Sequence, residues 1–130
     1  MTGLIWFVQV VHYPLFQWVG EKGYTKYQNR HMSLTTYVVG PLMLMELLSS
    51  AYFLLIDNYL FSTAFLWGNA ILLGIIWLST ALLQVPLHQN LTEKYELNYA
   101  QKLVSTNWIR TICWSIRSVW VVLEVISFIR

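Results

Sequence analysis

Long apolar runs alternate with short polar connections along this chain. Four runs are apolar and nearly free of charged residues: 1–20, 31–56, 58–92 and 103–129. A helix needs roughly 20 apolar residues to cross the hydrocarbon core of a bilayer, so each run is long enough for one span. The pattern predicts four transmembrane helices, at about 2–20, 25–56, 60–90 and 97–129.

The connections between these helices are short, which places successive helices side by side and antiparallel. They read GEKG, DNYL and QNLTEKYELN. We therefore expect an all-α membrane protein whose single domain, residues 1–130, is an antiparallel four-transmembrane-helix bundle. The composition agrees, because 57% of the residues are hydrophobic and 11% are charged, against about 25% charged residues in soluble domains.

The basic residues predict how the bundle is oriented. The first and third connections and their flanks hold most of them: Lys22, Lys26, Arg30, Lys94 and Lys102. The opposite side holds Arg130, and the second connection offers Asp57 alone. Because positively charged loops stay in the cytoplasm, we expect both termini outside, in a bacterial inner membrane. The sequence shows no basic stripe or nucleic-acid motif, so it indicates no nucleic-acid partner.

Three of the predicted helices carry one histidine each: His12, His31 and His88. Counted from the helix ends, all three fall in the cytoplasmic half of the bundle, and His12 lies deeper than the other two. Pro14 and Pro86 each stand two residues from a histidine and remove one backbone hydrogen bond. The kinks expected there predict a cavity beside His12 and His88.

Two helices carry polar stripes at helical spacing. The stripe on the fourth helix consists of Asn107, Arg110, Trp114 and Arg117. Residues spaced by three and four share one helix face, and an arginine near the bilayer centre must meet protein or water. We therefore expect this face to point inward. The stripe on the third helix consists of Trp77, Thr80, Gln84 and His88.

Glu46 of the second helix lies at a depth similar to that of Arg117, which predicts a buried, structural ion pair between them. Two other pairings remain open. Glu46 could meet Arg110 through water, and Glu124 could be the partner of Arg117.

The histidines and one arginine are the candidate catalytic residues: His12, His31, His88 and Arg110. Histidine binds metal ions and haem iron and also transfers protons, so a haem or a metal ion is one candidate cofactor. The other candidate is an anionic or carbonyl-rich apolar molecule, such as a quinone or polyketide-like ring, between Trp77 and Trp114, because guanidinium groups suit both anions and aromatic faces. Three further residues are expected to contact such a molecule: Tyr13, Gln84 and Asn107.

Residues 85–117, with the segments VVHYPLF and YTKYQNRH, resemble a group of small bacterial four-span membrane proteins. More remotely, the chain is similar to the integral-membrane anthrone oxygenase-like family. The matching positions are Pro86, His88, Leu91, Trp108 and Arg110. The position of His88 is more often asparagine in that family. The resemblance spans nearly the whole chain and implies four helices and an oxygenase or other redox role.

Three functions remain open from the sequence. A membrane redox enzyme or cofactor-binding protein is favoured, because the polar residues converge instead of scattering. A small-molecule binding or transport protein is the alternative, and transport by four helices would need a homo-oligomer. The third is an accessory subunit that packs on a partner through Met43, Met45 and lipid-facing aromatic residues.

Overall fold

The computed structural model describes residues 1–56 and 61–130, and every regular element in these two ranges is helical. Four helical regions follow one another in the described chain: α1 (residues 2–18), α2 (Tyr24–Leu55), α3 (Thr63–Glu93) and α4 (Leu97–Ile129). The predicted second connection, DNYL with Asp57, lies outside the described residues.

The bounds of α2 and α4 agree with the predicted helices to within one residue, whereas α3 begins and ends three residues later than predicted. Ser62 explains the later start, because its Oγ accepts a hydrogen bond from the Phe65 backbone N–H at 3.2 Å and caps the helix. Before α2 the chain turns at Gly23, whose φ of 102° strains any residue with a Cβ. These local signals set where the long helices begin.

Of the described helices, α2, α3 and α4 are long and apolar enough to cross a membrane. The first helix is shorter, and it is not one regular α-helix. Its successive parts are an α-helical turn at Thr2–Phe7, a π-helical turn at Val8–His12, an α-helical turn at Tyr13–Leu15 and a 3₁₀ turn at Phe16–Trp18. The first helix, predicted over about 2–20, therefore consists of four successive helical turns of three types between residues 2 and 18.

Wide π-helical turns precede Pro14 and Pro86. In α1 the Tyr13 backbone N–H donates to the Val8 carbonyl, five residues back. In α3 the same turn spans Thr80–Gln84, immediately before Val85 and Pro86. A proline lacks an N–H and its ring crowds the preceding turn, and a wider turn accommodates it.

The two turns belong to a local repeat between α1 and α3. Pro14-Leu15-Phe16-Gln17 matches Pro86-Leu87-His88-Gln89, and the interval between the prolines equals the interval between the π-helical turns. The match places Phe16 and His88 at equivalent positions, one turn beyond each π-helical turn. The similarity covers a single motif, which is too short to be recognised as a repeat from the sequence alone.

The helices pack in the order α1, α4, α3, α2, and contacts between α1 and α2 are sparse. Two apolar clusters hold this arrangement together. The first joins Tyr13, Phe16, Tyr24, Leu91, Ala100 and Leu103 near the first and third connections, and the second joins Ile5, Met43, Ile76, Cys113 and Trp114. The sparse α1–α2 contact leaves a gap on one side of the bundle.

Close packing of α3 on α4 requires a glycine at position 68. A Cβ added to Gly68 would overlap the Trp120 indole, whereas a Cβ at Gly74 of the same helix meets no atom within 4 Å. We expect Gly68→Ala to lower the free energy of unfolding by about 1–3 kcal/mol, because Trp120 must leave its contact with Phe65. Gly74→Ala should raise it by up to about 1 kcal/mol through helix propensity.

Denaturation of the two purified variants in mild detergent, followed by circular dichroism, measures both changes. Equal stabilities of the Gly68 and Gly74 variants would contradict the close α3–α4 packing.

Candidate functional site

The three histidines of the chain lie together where α1, α2 and α3 meet. His12 Nε2 and His31 Nδ1 are 2.9 Å apart and share a hydrogen bond. The ring centroids of His31 and His88 are 5.4 Å apart. The greater depth expected for His12 is therefore wrong, because its ring reaches the level of His31.

His88 is held by hydrogen bonds to both ring nitrogens. The Tyr13 hydroxyl lies 3.0 Å from its Nε2, and the Gln28 side-chain amide nitrogen lies 2.7 Å from its Nδ1. Gln28 is fully buried and was missed in the sequence. Its spacing of three residues from His31 puts both on one face of α2, which is the signal that could have found it. With its amide nitrogen donating, Gln28 fixes which nitrogen of His88 carries the proton.

Phe16 packs against all three imidazoles. Its ring is fully buried and makes edge-on contacts with His12 at 5.2 Å and with His31 at 5.1 Å between centroids. The corresponding distance to His88 is 6.2 Å. Thr35 adds a hydrogen bond to His31 Nδ1 at 3.2 Å. The histidine cluster is thus positioned by packing as well as by hydrogen bonds.

A cavity of about 640 Å³ adjoins the histidine cluster and is lined mainly by apolar side chains of α1, α2 and α3. One end is polar: His12, Tyr13, His31, Gln84, His88 and Arg110 contribute to it. The cavity borders the gap between α1 and α2. Phe7 on one side and Leu34 and Val38 on the other line it and are 56%, 49% and 55% exposed. The site is therefore reached from the side of the bundle.

Arg110 of α4 reaches the polar end of the cavity. Only 6% of the residue is exposed, and its guanidinium carbon lies 5.1 Å from the centre of the Trp114 ring. The guanidinium also interacts with the Tyr13 hydroxyl. Its Nε has no hydrogen-bond partner among the described residues.

Two residues predicted to contact a bound molecule lie elsewhere. Asn107 is fully buried between α1 and α4, where its amide nitrogen donates to the Gln9 side-chain oxygen at 2.9 Å. Trp114 is 1% exposed, and its indole N–H donates to Glu46 Oε2 at 2.8 Å. The prediction that a ligand ring lies between Trp77 and Trp114 is therefore wrong, since Trp77 lines the cavity and Trp114 does not.

The predicted stripe of α3 does face the cavity. Its members Trp77, Thr80, Gln84 and His88 all line it. Gln84 also binds α4, because its amide nitrogen donates to the Thr106 hydroxyl at 2.9 Å. The Gln84 side-chain oxygen and the Trp77 indole N–H have no hydrogen-bond partner among the described residues. Both atoms are buried, so an unpaired acceptor and an unpaired donor belong to residues of the cavity wall without facing the cavity.

Glu46 and Arg117 form an ion pair in the other half of the bundle. Arg117 Nη1 donates to Glu46 Oε2 at 2.8 Å, and Arg117 Nε donates to the Asn69 side-chain oxygen at 2.7 Å. Glu124, the other partner considered for Arg117, instead accepts from Ser62 at 2.5 Å. Arg110 lies over the Trp114 ring, and a contact with Glu46 through water stays a prediction. The ion pair joins α2, α3 and α4 and borders a second pocket of about 320 Å³.

The histidine cluster does not have the geometry of a metal or haem site. Within the described part of the chain, no group of three His, Cys, Asp or Glu residues is arranged to hold a metal ion. Two histidine ligands of a haem iron lie on opposite sides of the metal, whereas His12 and His31 bond directly to each other. Both nitrogens of His88 are also engaged. The arrangement instead suits hydrogen bonding and proton transfer.

Comparisons with protein-family profiles, curated proteins and solved structures gave no match. The geometry of the chain itself is therefore the basis for a functional assignment.

The ion pair generates a prediction about stability. Glu46→Gln keeps an acceptor for the Trp114 N–H but leaves the buried Arg117 without its counter-charge, so we expect a loss of a few kcal/mol. The matched control is Glu124→Gln, the same chemical change at a carboxylate bonded to Ser62. It should change the unfolding free energy by about 0.5 kcal/mol or less.

Chemical denaturation in detergent compares the two variants, and the double variant Glu46→Gln/Arg117→Gln should recover part of the loss. If both single variants are equally stable, the Glu46–Arg117 pair does not hold the helices together.

Proposed function

We propose that this protein is a four-span antiparallel integral membrane protein that binds an apolar carbonyl- or quinone-like molecule and transfers a proton to or from it. The observation that supports this most is the cavity between α1 and α2, apolar along most of its wall and polar at the end formed by the three histidines. Sites for small molecules are commonly apolar cavities with a few convergent polar groups.

The position of the opening favours a ligand that arrives from the bilayer. Phe7, Leu34 and Val38 border the gap and are about half exposed, so in a membrane they would contact lipid chains. An apolar molecule dissolved in the bilayer can enter there without crossing water. Its polar group would then lie against Tyr13 and the histidines.

The hydrogen bonds of the site suit transfer of a proton between neutral groups. The Tyr13 hydroxyl can donate to a carbonyl oxygen while His88 and Gln28 hold it in place. His12 and His31, joined by one hydrogen bond, can accept or supply the proton that an enolisation requires. The resemblance to the anthrone oxygenase-like family supports a role as a membrane oxidoreductase or oxygenase, as part of the same proposal.

Transport of a small molecule is a second candidate, favoured by the second pocket. That pocket lies beside Glu46 and Arg117, in the other half of the bundle from the histidines. A molecule that passed between the two pockets would have to displace Arg110 from Trp114. Four helices are few for this task, so the transport version requires a homo-oligomer.

The topology within the proposal is testable by labelling single cysteines in cells. In a Cys113→Ser background, Lys94→Cys should react with a membrane-impermeant maleimide only after permeabilisation, because the third connection is proposed to be cytoplasmic. Thr63→Cys, at the start of α3, should react in intact cells. The unsubstituted chain serves as control, since Cys113 is buried. Labelling of both positions from the same side would contradict four spans.

Binding at the cavity is testable with a labelled neutral naphthoquinone and the purified protein in nanodiscs. Leu34→Trp should weaken binding about tenfold or more by filling the gap between α1 and α2. Leu44→Trp is the matched control, because Leu44 lies on the same helix, is also 49% exposed and does not line the cavity.

Saturable binding that only the Leu34 variant loses is the expected result. Binding that is absent from the unmodified protein, or equal in the two variants, would rule out this cavity as the site.

A further inference from the structure

Arg110 is a buried cation whose immediate surroundings supply no negative charge. The described residues that line the cavity include two cations, Arg30 and Arg110, and no Asp or Glu. Arginine keeps its proton in proteins, so the charge of Arg110 cannot be removed by deprotonation. A buried charge without a partner is costly in a bilayer interior.

Glu46, the carboxylate bonded to the Trp114 indole, is already committed elsewhere. Glu46 Oε2 accepts from both Arg117 and the Trp114 indole N–H, at 2.8 Å each. Glu46 and Arg117 therefore balance one another, and the charge of Arg110 remains in excess among the buried residues.

The hydrogen-bonding capacity of Arg110 is also incompletely used. A guanidinium has five N–H donors in a fixed plane. One face of that plane lies over Trp114, and the Tyr13 hydroxyl can take at most a small part of the donors. The Nε, on a residue that is 6% exposed, has no partner among the described residues. Arg110 also lines the adjoining cavity, so a ligand there can supply acceptors to the guanidinium nitrogens other than the buried Nε.

We propose that the ligand is an apolar acid that binds as a monoanion, with its charged oxygen against Arg110. This rests on the proposed function and narrows it from any carbonyl- or quinone-like molecule to an acidic one, such as a long-chain carboxylate, a phenolate or the enolate of a ketone. Arg110 supplies the counter-charge and Tyr13 a neutral donor to the same oxygen. The apolar remainder lies along Val8, Val39 and Met43 of the cavity wall.

This arrangement bears on the chemistry as well as on affinity. An enolate or phenolate is the conjugate base left when a carbon or oxygen acid gives up a proton. A fixed guanidinium beside the oxygen stabilises that charge, either in an anion that enters as such or in one formed in the site when a neutral acid passes its proton to the histidine pair, His12 and His31. Bonds and charges balance without any additional reactant.

The test compares acids with neutral molecules of the same shape at neutral pH. Purified protein in detergent is titrated with oleate and with oleyl alcohol, and separately with 2-hydroxy-1,4-naphthoquinone, which is acidic, and 2-methyl-1,4-naphthoquinone, which is not. We expect the acid of at least one pair to bind about tenfold or more tightly than its neutral counterpart. The pair that shows the preference identifies the source of the anion.

Variants of Arg110 and of a lysine outside the cavity assign the preference. Arg110→Gln should abolish it and Arg110→Lys should retain part of it, whereas Lys26→Gln, at an exposed position that does not line the cavity, should leave it unchanged. If Arg110→Gln fails to fold, the lysine variant and the unmodified protein still measure the preference.

Equal affinities within both pairs, or a preference that persists in Arg110→Gln, would overturn the anion proposal. Tight binding of the neutral naphthoquinone without any preference for the acid would overturn the anion proposal and would still support the cavity as a binding site. Failure of all four molecules to bind would overturn both.

Discussion

The structure depends on one constraint: a polar or charged side chain inside an apolar bundle is stabilised only by partners that lie within the bundle. Lipid chains offer no hydrogen bonds, and burial of apolar groups does little to associate helices there. Glu46 and Arg117 join α2 to α4, and Asn69 adds α3 to the same network. Gln9, bonded to Asn107, fixes α1 against α4 in the same way. Polar contacts therefore set which helices are neighbours, and apolar side chains fill the space between them.

The sequence predicts the parts of the molecule that follow from length, hydropathy and helical spacing. The bounds of α2 and α4, the inward stripe on α4 and the three converging histidines all follow from such regular patterns. What it misses depends on local geometry. Counting the rise per residue predicted that His12 lies deeper than His31, whereas the two imidazoles are in direct contact. The sequence also does not show which partner each residue of a stripe binds. Trp114 bonds to Glu46 and Asn107 bonds to Gln9, and neither lines the cavity.

The site arises because α1 and α2 do not close against each other. In a regular bundle, helices joined by a short connection pack along their whole length. Here the wide turn of α1 and the bonded pair His12–His31 hold the two helices together at one end, and the rest of the seam stays open. Phe16 and His88 occupy equivalent positions in the repeat of α1 and α3. Phe16 packs its ring against all three imidazoles, and His88 contributes one of those imidazoles.

The π-helical turn at Val8–His12 also controls the rotational phase of α1. Such a turn amounts to one residue inserted into an α-helix, and each residue of an α-helix turns the chain by about 100°. Deleting Val10 or Val11 would let the helix become regular and would swing everything before the turn by roughly that angle. Thr2, which now donates to the Trp114 carbonyl and shares a short hydrogen bond with Ser118, would leave α4. Because of this one additional residue, the start of α1 contacts α4 through Thr2, and its later part contributes His12 to the histidine cluster.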